Sequence, residues 1–194
     1  MKKNLLTAIW MTVATTVIFG LLYPLAVTGL ARVIFPRQAN GKLIVVNGKT
    51  LGSSLIGQAF SSPGYFRSRP SAAGAAGYDA DASGGGASNL APTNSALITR
   101  VAADVEKAQK ENPSAKIPVD LVTTSASGLD PHISPAAAEF QIPRVARERS
   151  MSEADVRTLV AKHTEARQLG FLGEPRVNVL ELNLDLDAVH PMHH

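Results

Sequence analysis

From Asn4 to Ala31 the chain runs for 28 residues without a charged side chain, closed by Lys3 on one side and Arg32 on the other. About 20 apolar residues in a helix span the hydrocarbon core of a bilayer. At about 1.5 Å per residue this stretch reaches about 42 Å, enough to span with tilt. A single segment cannot close a barrel, so only a helix satisfies its backbone in lipid. The expected organisation is a membrane segment over residues 1–34 and a soluble domain over residues 35–194. A signal peptide is the competing reading, with Lys2 and Lys3 as basic start and Gly29-Leu30-Ala31 as cleavage site. The apolar run exceeds the usual signal core of about 7 to 15 residues, which favours an uncleaved anchor.

Within the helix Ala8, Thr12, Thr16 and Gly20 recur at every fourth position. That spacing puts small side chains along one face, where a second helix can approach closely. Pro24 continues the row and is expected to kink the helix or loosen its last turns. Positive charges flank both ends, with Lys2 and Lys3 before the helix and Arg32, Arg37, Lys42 and Lys49 after it. The positive-inside count is therefore balanced. Because long domains translocate despite such charges, the expected arrangement places the domain outside the cytoplasm.

Beyond residue 34 the chain carries 16 basic and 16 acidic residues, so its overall charge of +3 belongs to the membrane end. That balance gives no reason to propose nucleic-acid binding, which wants a basic patch on the domain itself. The chain has no cysteine, which fits either redox compartment. The expected fold is a mixed α+β domain. Leu43 to Val46 reads as a strand that turns at Asn47-Gly48 into Lys49-Thr50-Leu51. Ala72 to Ala91 is a long alanine-, glycine- and serine-rich loop, including the run Ser83 to Asn89. It has no G-x-x-x-x-G-K-[ST] pattern and no lysine or arginine up to Ile98, so it reads as a flexible contact loop rather than a phosphate cradle.

A helix is expected from Thr93-Asn94 to Asn112-Pro113, with Leu97, Ile98, Val101, Val105 and Ala108 as its apolar face. Val119 to Thr124 reads as a strand. Ser134-Pro135 opens a helix to about Arg149, disturbed by Pro143. Ser152-Glu153-Ala154-Asp155 resembles a capping box for a further helix ending at Gly170. Leu180, Leu182, Leu184 and Leu186 alternate with Glu181, Asn183, Asp185 and Asp187, the pattern of a half-buried strand. Val177 and Val179 fall in the opposite phase, which suggests a bulge or an end buried on both faces.

Ser125, Ser127, Asp130 and His132 contain the residue types of a hydrolytic triad. There is no G-x-S-x-G elbow, and Asp130-Pro131 and Ser134 have ready roles in a turn and a helix cap. His190, His193 and His194 could hold a metal only adventitiously at a fraying end, and His163 suits a helix C-terminus.

The segments Gly52 to Phe60, Tyr65 to Ala72, the serine-glycine loop ending Asn89-Leu90-Ala91-Pro92-Thr93-Asn94, Ser125 to Pro135 and Gly173 to Leu180 resemble the C subunit of the Kdp potassium-transporting ATPase. They stand in the family's order behind a single N-terminal membrane helix. The family's loop typically runs S-G-G-S-N-L-G-P-T-N; here Gly86 and Ala87 look like an insertion, and Ala91 replaces a glycine. The resemblance implies an accessory subunit of the bacterial inner membrane, not an enzyme. It would bind no cofactor alone and meet ATP only through the complex. The implied partners are a channel-like subunit that carries potassium and a P-type ATPase subunit. The implied role is to stabilise their assembly and, as a catalytic chaperone, to raise ATP affinity. With the domain outside, that effect on ATP would be allosteric. The sequence carries neither a D-K-T-G-T phosphorylation motif nor a T-V-G-Y-G filter. Candidate contact residues are Ala8, Thr12, Thr16 and Gly20 on the helix, and Gly84, Gly85, Gly86, Ser88 and Asn89 in the loop. A membrane-anchored hydrolase using Ser127 and His132, or a periplasmic binding module, are the alternatives.

Overall fold

The fold is described from a computed structural model, which covers residues 2–75, 77–79 and 87–192. The chain divides into two compact units, Met1–Leu51 and Gly52–His194.

In the first unit one continuous helical rod runs from Lys2 to Ile34, 33 residues long and apolar enough to cross a membrane. It consists of α1 (Lys2–Thr15), a π-helical stretch (Thr16–Leu22) and α2 (Tyr23–Ile34). The disturbance expected from Pro24 is real, but it lies before the proline and not in the last turns. Proline has no N–H to offer Gly20, four residues back, and its ring crowds that carbonyl. The helix answers by widening, and the Tyr23 N–H bonds to Ile18 O, five residues back. Thr15 Oγ1 returns its hydroxyl to its own helix, on Met11 O at 2.8 Å. After the short helix α3 (Pro36–Ala39), strands β1 (Leu43–Val46) and β2 (Lys49–Ser53) form a hairpin. Asn47 (φ 51°) and Gly48 (φ 77°) supply the left-handed pair that a type I′ turn requires.

The second unit is built around α5 (Pro135–Arg149), α6 (Glu153–Lys162) and α7 (Val179–Val189), with a small antiparallel sheet. The sheet has β3 (His132–Ile133), β4 (Thr164–Glu165) and β5 (Arg176–Asn178) in the order β3-β5-β4. Ile133 and Thr164 both stand opposite Val177. The core gathers Phe66, Ile133, Ile142, Val145, Val156, Val177, Leu182 and Leu186. Ahead of these, α4 (Ser95–Glu111) is capped by Asn94 and ends at Asn112, as expected. Of its expected apolar face Ala108 is buried, whereas Ile98 is exposed. The Ser134 and Ser152 caps are also as expected, each accepting a backbone N–H in the first turn.

The alternating leucines do not make a strand. They lie in α7, whose buried residues Val179, Leu182, Asn183 and Leu186 follow helical spacing. Asn178 caps the helix by accepting the Glu181 N–H at 3.1 Å, and that cap decides the conformation. Val177 belongs to β5 and Val179 opens α7, so their phase marks a strand-to-helix junction and not a bulge. Val119 to Thr124 is also not a strand. After Pro118 it forms a 3₁₀ turn (Val119–Leu121) that aims Asp120 at Ser134, whose N–H and hydroxyl it accepts at 2.7 and 3.1 Å. α6 stops at Lys162 rather than Gly170, because Thr164 and Glu165 are needed to pair with β5. α5 runs unbroken through Pro143, held by its cap and by one buried face.

Candidate functional site

After the turn at Ser62–Tyr65, the stretch Phe66 to Ser71 belongs to no strand, yet Phe66 and Arg67 are bonded as if they did. Phe66 donates its N–H to Asn183 Oδ1 and accepts from Asn183 Nδ2, both at 2.9 Å. Arg67 does the same with Gln141, donating to Oε1 at 2.8 Å and accepting from Nε2 at 3.1 Å. A primary amide sets an N–H donor beside a C=O acceptor, as a backbone residue does, so each side chain replaces one residue of a missing strand. Helices α5 and α7 thereby grip the stretch from below, with the Phe66 side chain buried in the core between them.

Two buried arginines complete the grip. Arg144 donates to the carbonyls of Pro63 and Tyr65 and to Glu111 Oε1 on α4, the last at 2.7 Å. Burial lowers its pKa, while the hydrogen bond and charge of Glu111 oppose that shift. Arg149, its side chain fully buried, donates to Gly64 O at 2.6 Å, to His190 O at 2.8 Å and to Asp187 Oδ1 at 2.8 Å. Its guanidinium carbon also lies 4.8 Å from the centre of the Tyr65 ring. Burial first, and then the bond to Asp187, raise the pKa of the Tyr65 hydroxyl. A buried arginine is tolerated only when its donors are spent in this way.

The gripped stretch in turn gathers the other loops. Ser71 Oγ donates to Gly128 O at 2.6 Å and accepts the Tyr78 N–H at 2.9 Å. The Gly57 N–H reaches Leu129 O at 2.8 Å. A Cβ on Gly57 would stand 2.6 Å from Asp130 O and 2.7 Å from the Tyr78 ring, so the loops close only over a hydrogen. Asn178 Nδ2 holds Ser54 O at 2.8 Å, and the Val179 N–H holds Pro131 O at 3.0 Å. The segments 52–60, 65–72, 125–135 and 173–180, distant in sequence, thus form one platform.

Beside it lies an open groove of about 560 Å³, lined by Arg69, Pro118, Asp120, Asp130, His132 and Arg176 among others. Arg69 reaches Thr123 O, Thr124 O and Asp130 Oδ2, each at 3.4 Å. Burial works against ionisation of Asp130. The side-chain and backbone hydrogen bonds of His132, and the charges of His132 and Arg69, outweigh it and hold the carboxyl below its usual pKa. Burial pushes the Tyr78 hydroxyl up to about 12, against the opposing Ser68 hydrogen bond. Tyr78 spends its proton on Arg69 O.

The triad residues have structural work. Ser127 Oγ accepts the Leu129 N–H at 3.1 Å, and Asp130 Oδ1 accepts the His132 N–H at 2.9 Å. His163 pairs with Asp185 at 2.9 Å beside Lys162. His190 caps α7 through its backbone, while His193 and His194 lie outside the described residues. Among the described residues, no three His, Asp or Glu side chains are grouped to hold a metal.

Of the candidate contact residues, Ala8 and Thr12 lie in α1, and Thr16 and Gly20 in the π-helical stretch. In an α-helix each step of four residues overshoots a full turn by about 40°. A π turn, at about 4.4 residues, undershoots it by about 30°. The wide turn therefore swings Gly20 back toward the line of Ala8 and Thr12, with Thr16 Cγ2 at 3.7 Å from where a Gly20 Cβ would be. Ser88 and Asn89 are exposed, and Gly84, Gly85 and Gly86 lie outside the described residues. Sequence reasoning missed Gln141, Arg144, Arg149 and Asn183. The available signal was polar side chains at positions that helical spacing places on a buried face.

The model of the family described as K+-transporting ATPase, c chain, matches residues 5–188. Over 192 residues the chain is 64% identical to the potassium-transporting ATPase KdpC subunit of Koribacter versatilis strain Ellin345, covering 99% of this chain and 98% of that one. It is 60% identical over 188 residues to the protein of that name from Acidobacterium capsulatum, covering 97% and 100%. With that of Rhodopseudomonas palustris strain BisB18 it shares 57% over 199 residues, covering 97% and 99%. These matches across nearly the whole length show that the chain belongs to the KdpC family, the c chains of the K+-transporting ATPase.

Proposed function

We propose that this chain is the accessory, non-catalytic subunit that holds a potassium-importing, ATP-driven complex together. It does so beside a channel-like subunit and an ATP-hydrolysing subunit of a bacterial plasma membrane. The observation that carries this reading is the helix Lys2–Ile34, none of whose residues is buried within the chain and whose small residues stay near one line. One helix forms no ion pathway, but a row of small residues suits close packing against a neighbour. Ala8, Thr12, Thr16 and Gly20 form that docking face, and Ser88 and Asn89, with Gly84 to Gly86, form a second contact in the loop. The hydrolase alternative has no support, since Ser127 is engaged with Leu129 and has no base bonded to it.

The domain lies outside the cytoplasm, over the external entrance of the ion path. The chain's effect on ATP affinity is then a coupling between assembly and the conformations of the hydrolysing subunit, with no nucleotide bound here. The test is co-purification from mild detergent with the full chain. Gly20→Leu and Thr16→Leu should release the partner subunits, while Ile9→Leu and Val13→Leu should not. Equal retention by all four variants would remove the helix as the docking face. A reporter active only in the cytoplasm, fused after His194, should be silent; strong signal would reverse the orientation.

A further inference from the structure

The hairpin between β4 and β5 turns on Leu169 (φ 53°) and Gly170 (φ 81°), closed by Phe171 N–H to Gln168 O at 3.3 Å. This is the same left-handed pair that Asn47 and Gly48 make in the first hairpin. Asparagine suits that position, whereas a bulky side chain there strains the backbone. Leu169 is also 82% exposed, with Phe171 at 69% and Leu172 at 47% beside it. Among the described residues, neither Leu169 nor Phe171 belongs to the core. Strain of this kind persists where function requires it.

We infer that the tip Leu169–Phe171–Leu172 is a preformed plug that enters an apolar, uncharged socket on another protein subunit of the same complex. This rests on the subunit reading above. The stem argues against lipid as the occupant. Arg167 pairs with Glu174 at 2.6 Å and Arg176 with Glu165 at 2.7 Å, so the collar is neutral. Membrane-surface segments carry unpaired Lys or Arg and interfacial Trp or Tyr. Residues 164–176 contain no Lys, Trp or Tyr. A second copy is disfavoured by area. Three side chains fall far short of the roughly 1,000 Å² that a stable interface needs. So small a contact serves a partner already tethered by another element, for which the effective concentration is high. The membrane helix supplies that tether. The tip is rigid, with Gln168 and Leu172 exchanging two backbone bonds of 2.9 Å, so little order is lost on docking.

The test uses the full chain co-expressed with the other subunits of the ATPase and extracted in mild detergent. Leu169→Asn suits the turn, so the variant should fold at least as well as the original. Alone it should lower the yield of partner subunits severalfold, and with Phe171→Ser by about tenfold. Unchanged yield in the double variant overturns the inference. A photo-crosslinking residue at position 169 should trap another subunit in intact membranes. Adducts only with lipid, or only with a second copy, also overturn it. If the unaltered chain itself retains no subunit, the subunit reading fails and this inference falls with it.

Discussion

Asn183 and Phe66 exchange two hydrogen bonds of 2.9 Å, the side-chain amide of one against the backbone of the other, across 117 residues of sequence. A strand partner would have needed a whole segment of chain. One side chain on a helix does the same for one residue, and Gln141 repeats it for the next. The platform is therefore as fixed as the two helices beneath it.

Replacing Asn183 by leucine keeps a side chain forked at the same position but leaves the buried N–H and carbonyl of Phe66 unpaired. The expected loss is about 2–6 kcal/mol, since each of the two groups costs about 1–3 kcal/mol. Denaturant unfolding checks this; a midpoint shift smaller than a quarter of that cost would mean that water or a backbone shift satisfies Phe66.

Gly57→Ala should destabilise the platform by about 1–3 kcal/mol, as overpacking does, and should lower partner retention with it. Gly29→Ala is the control, because nothing lies within 4 Å of a Cβ there. Equal thermal midpoints for the two variants would refute the close approach over Asp130.

In the folded chain the Asp130 carboxyl is held below the ordinary aspartate value of 3.8. The proton is thus bound more weakly in the folded chain than in the unfolded one. Its contribution to stability is present above pH 3.8 and fades as the pH falls through the lower, folded value. The stability gap between the unaltered chain and Asp130→Asn should be open at about pH 5 and narrow below about pH 4. A gap that widens on acidification would contradict the sign.

Pro24→Ala restores the N–H that Gly20 O lacks. The wide turn should close to an α-helix, rotating Ala8 and Thr12 relative to α2 by about 100°, one residue's worth of helix. Spin labels at Ile9 and Val27 would register the change in their separation. Partner retention should fall although the helix becomes more regular. An unaltered label distance would show that the π-helical stretch does not depend on the proline.

Local signals were read well where a residue acts on its immediate neighbours. Asn47-Gly48, Asn94, Ser134 and Ser152 each fix a backbone conformation within a few positions, and each stands where expected. The leucines of α7 suggest a strand because period two and helical spacing coincide at Leu182 and Leu186, and only the cap at Asn178 tells the two apart. Val119 to Thr124 looked like a strand from its β-branched residues, but propensity yields where Asp120 must reach Ser134. The grip on Phe66 and Arg67 was illegible for another reason. Its partners lie 117 and 74 residues away, and no pattern within a window reports them.

That separation has a consequence in time. The ribosome delivers Phe66 long before Asn183, and Ser54 long before Asn178, 124 residues later. Until β5 and α7 emerge, Phe66 has no partner for its backbone, and the place between β3 and β4 is unfilled. Folding of the second unit is therefore gated by the last part of the chain to be synthesised. A chain cut before residue 178 would arrive in the membrane with its helix ready to insert and its platform unable to set.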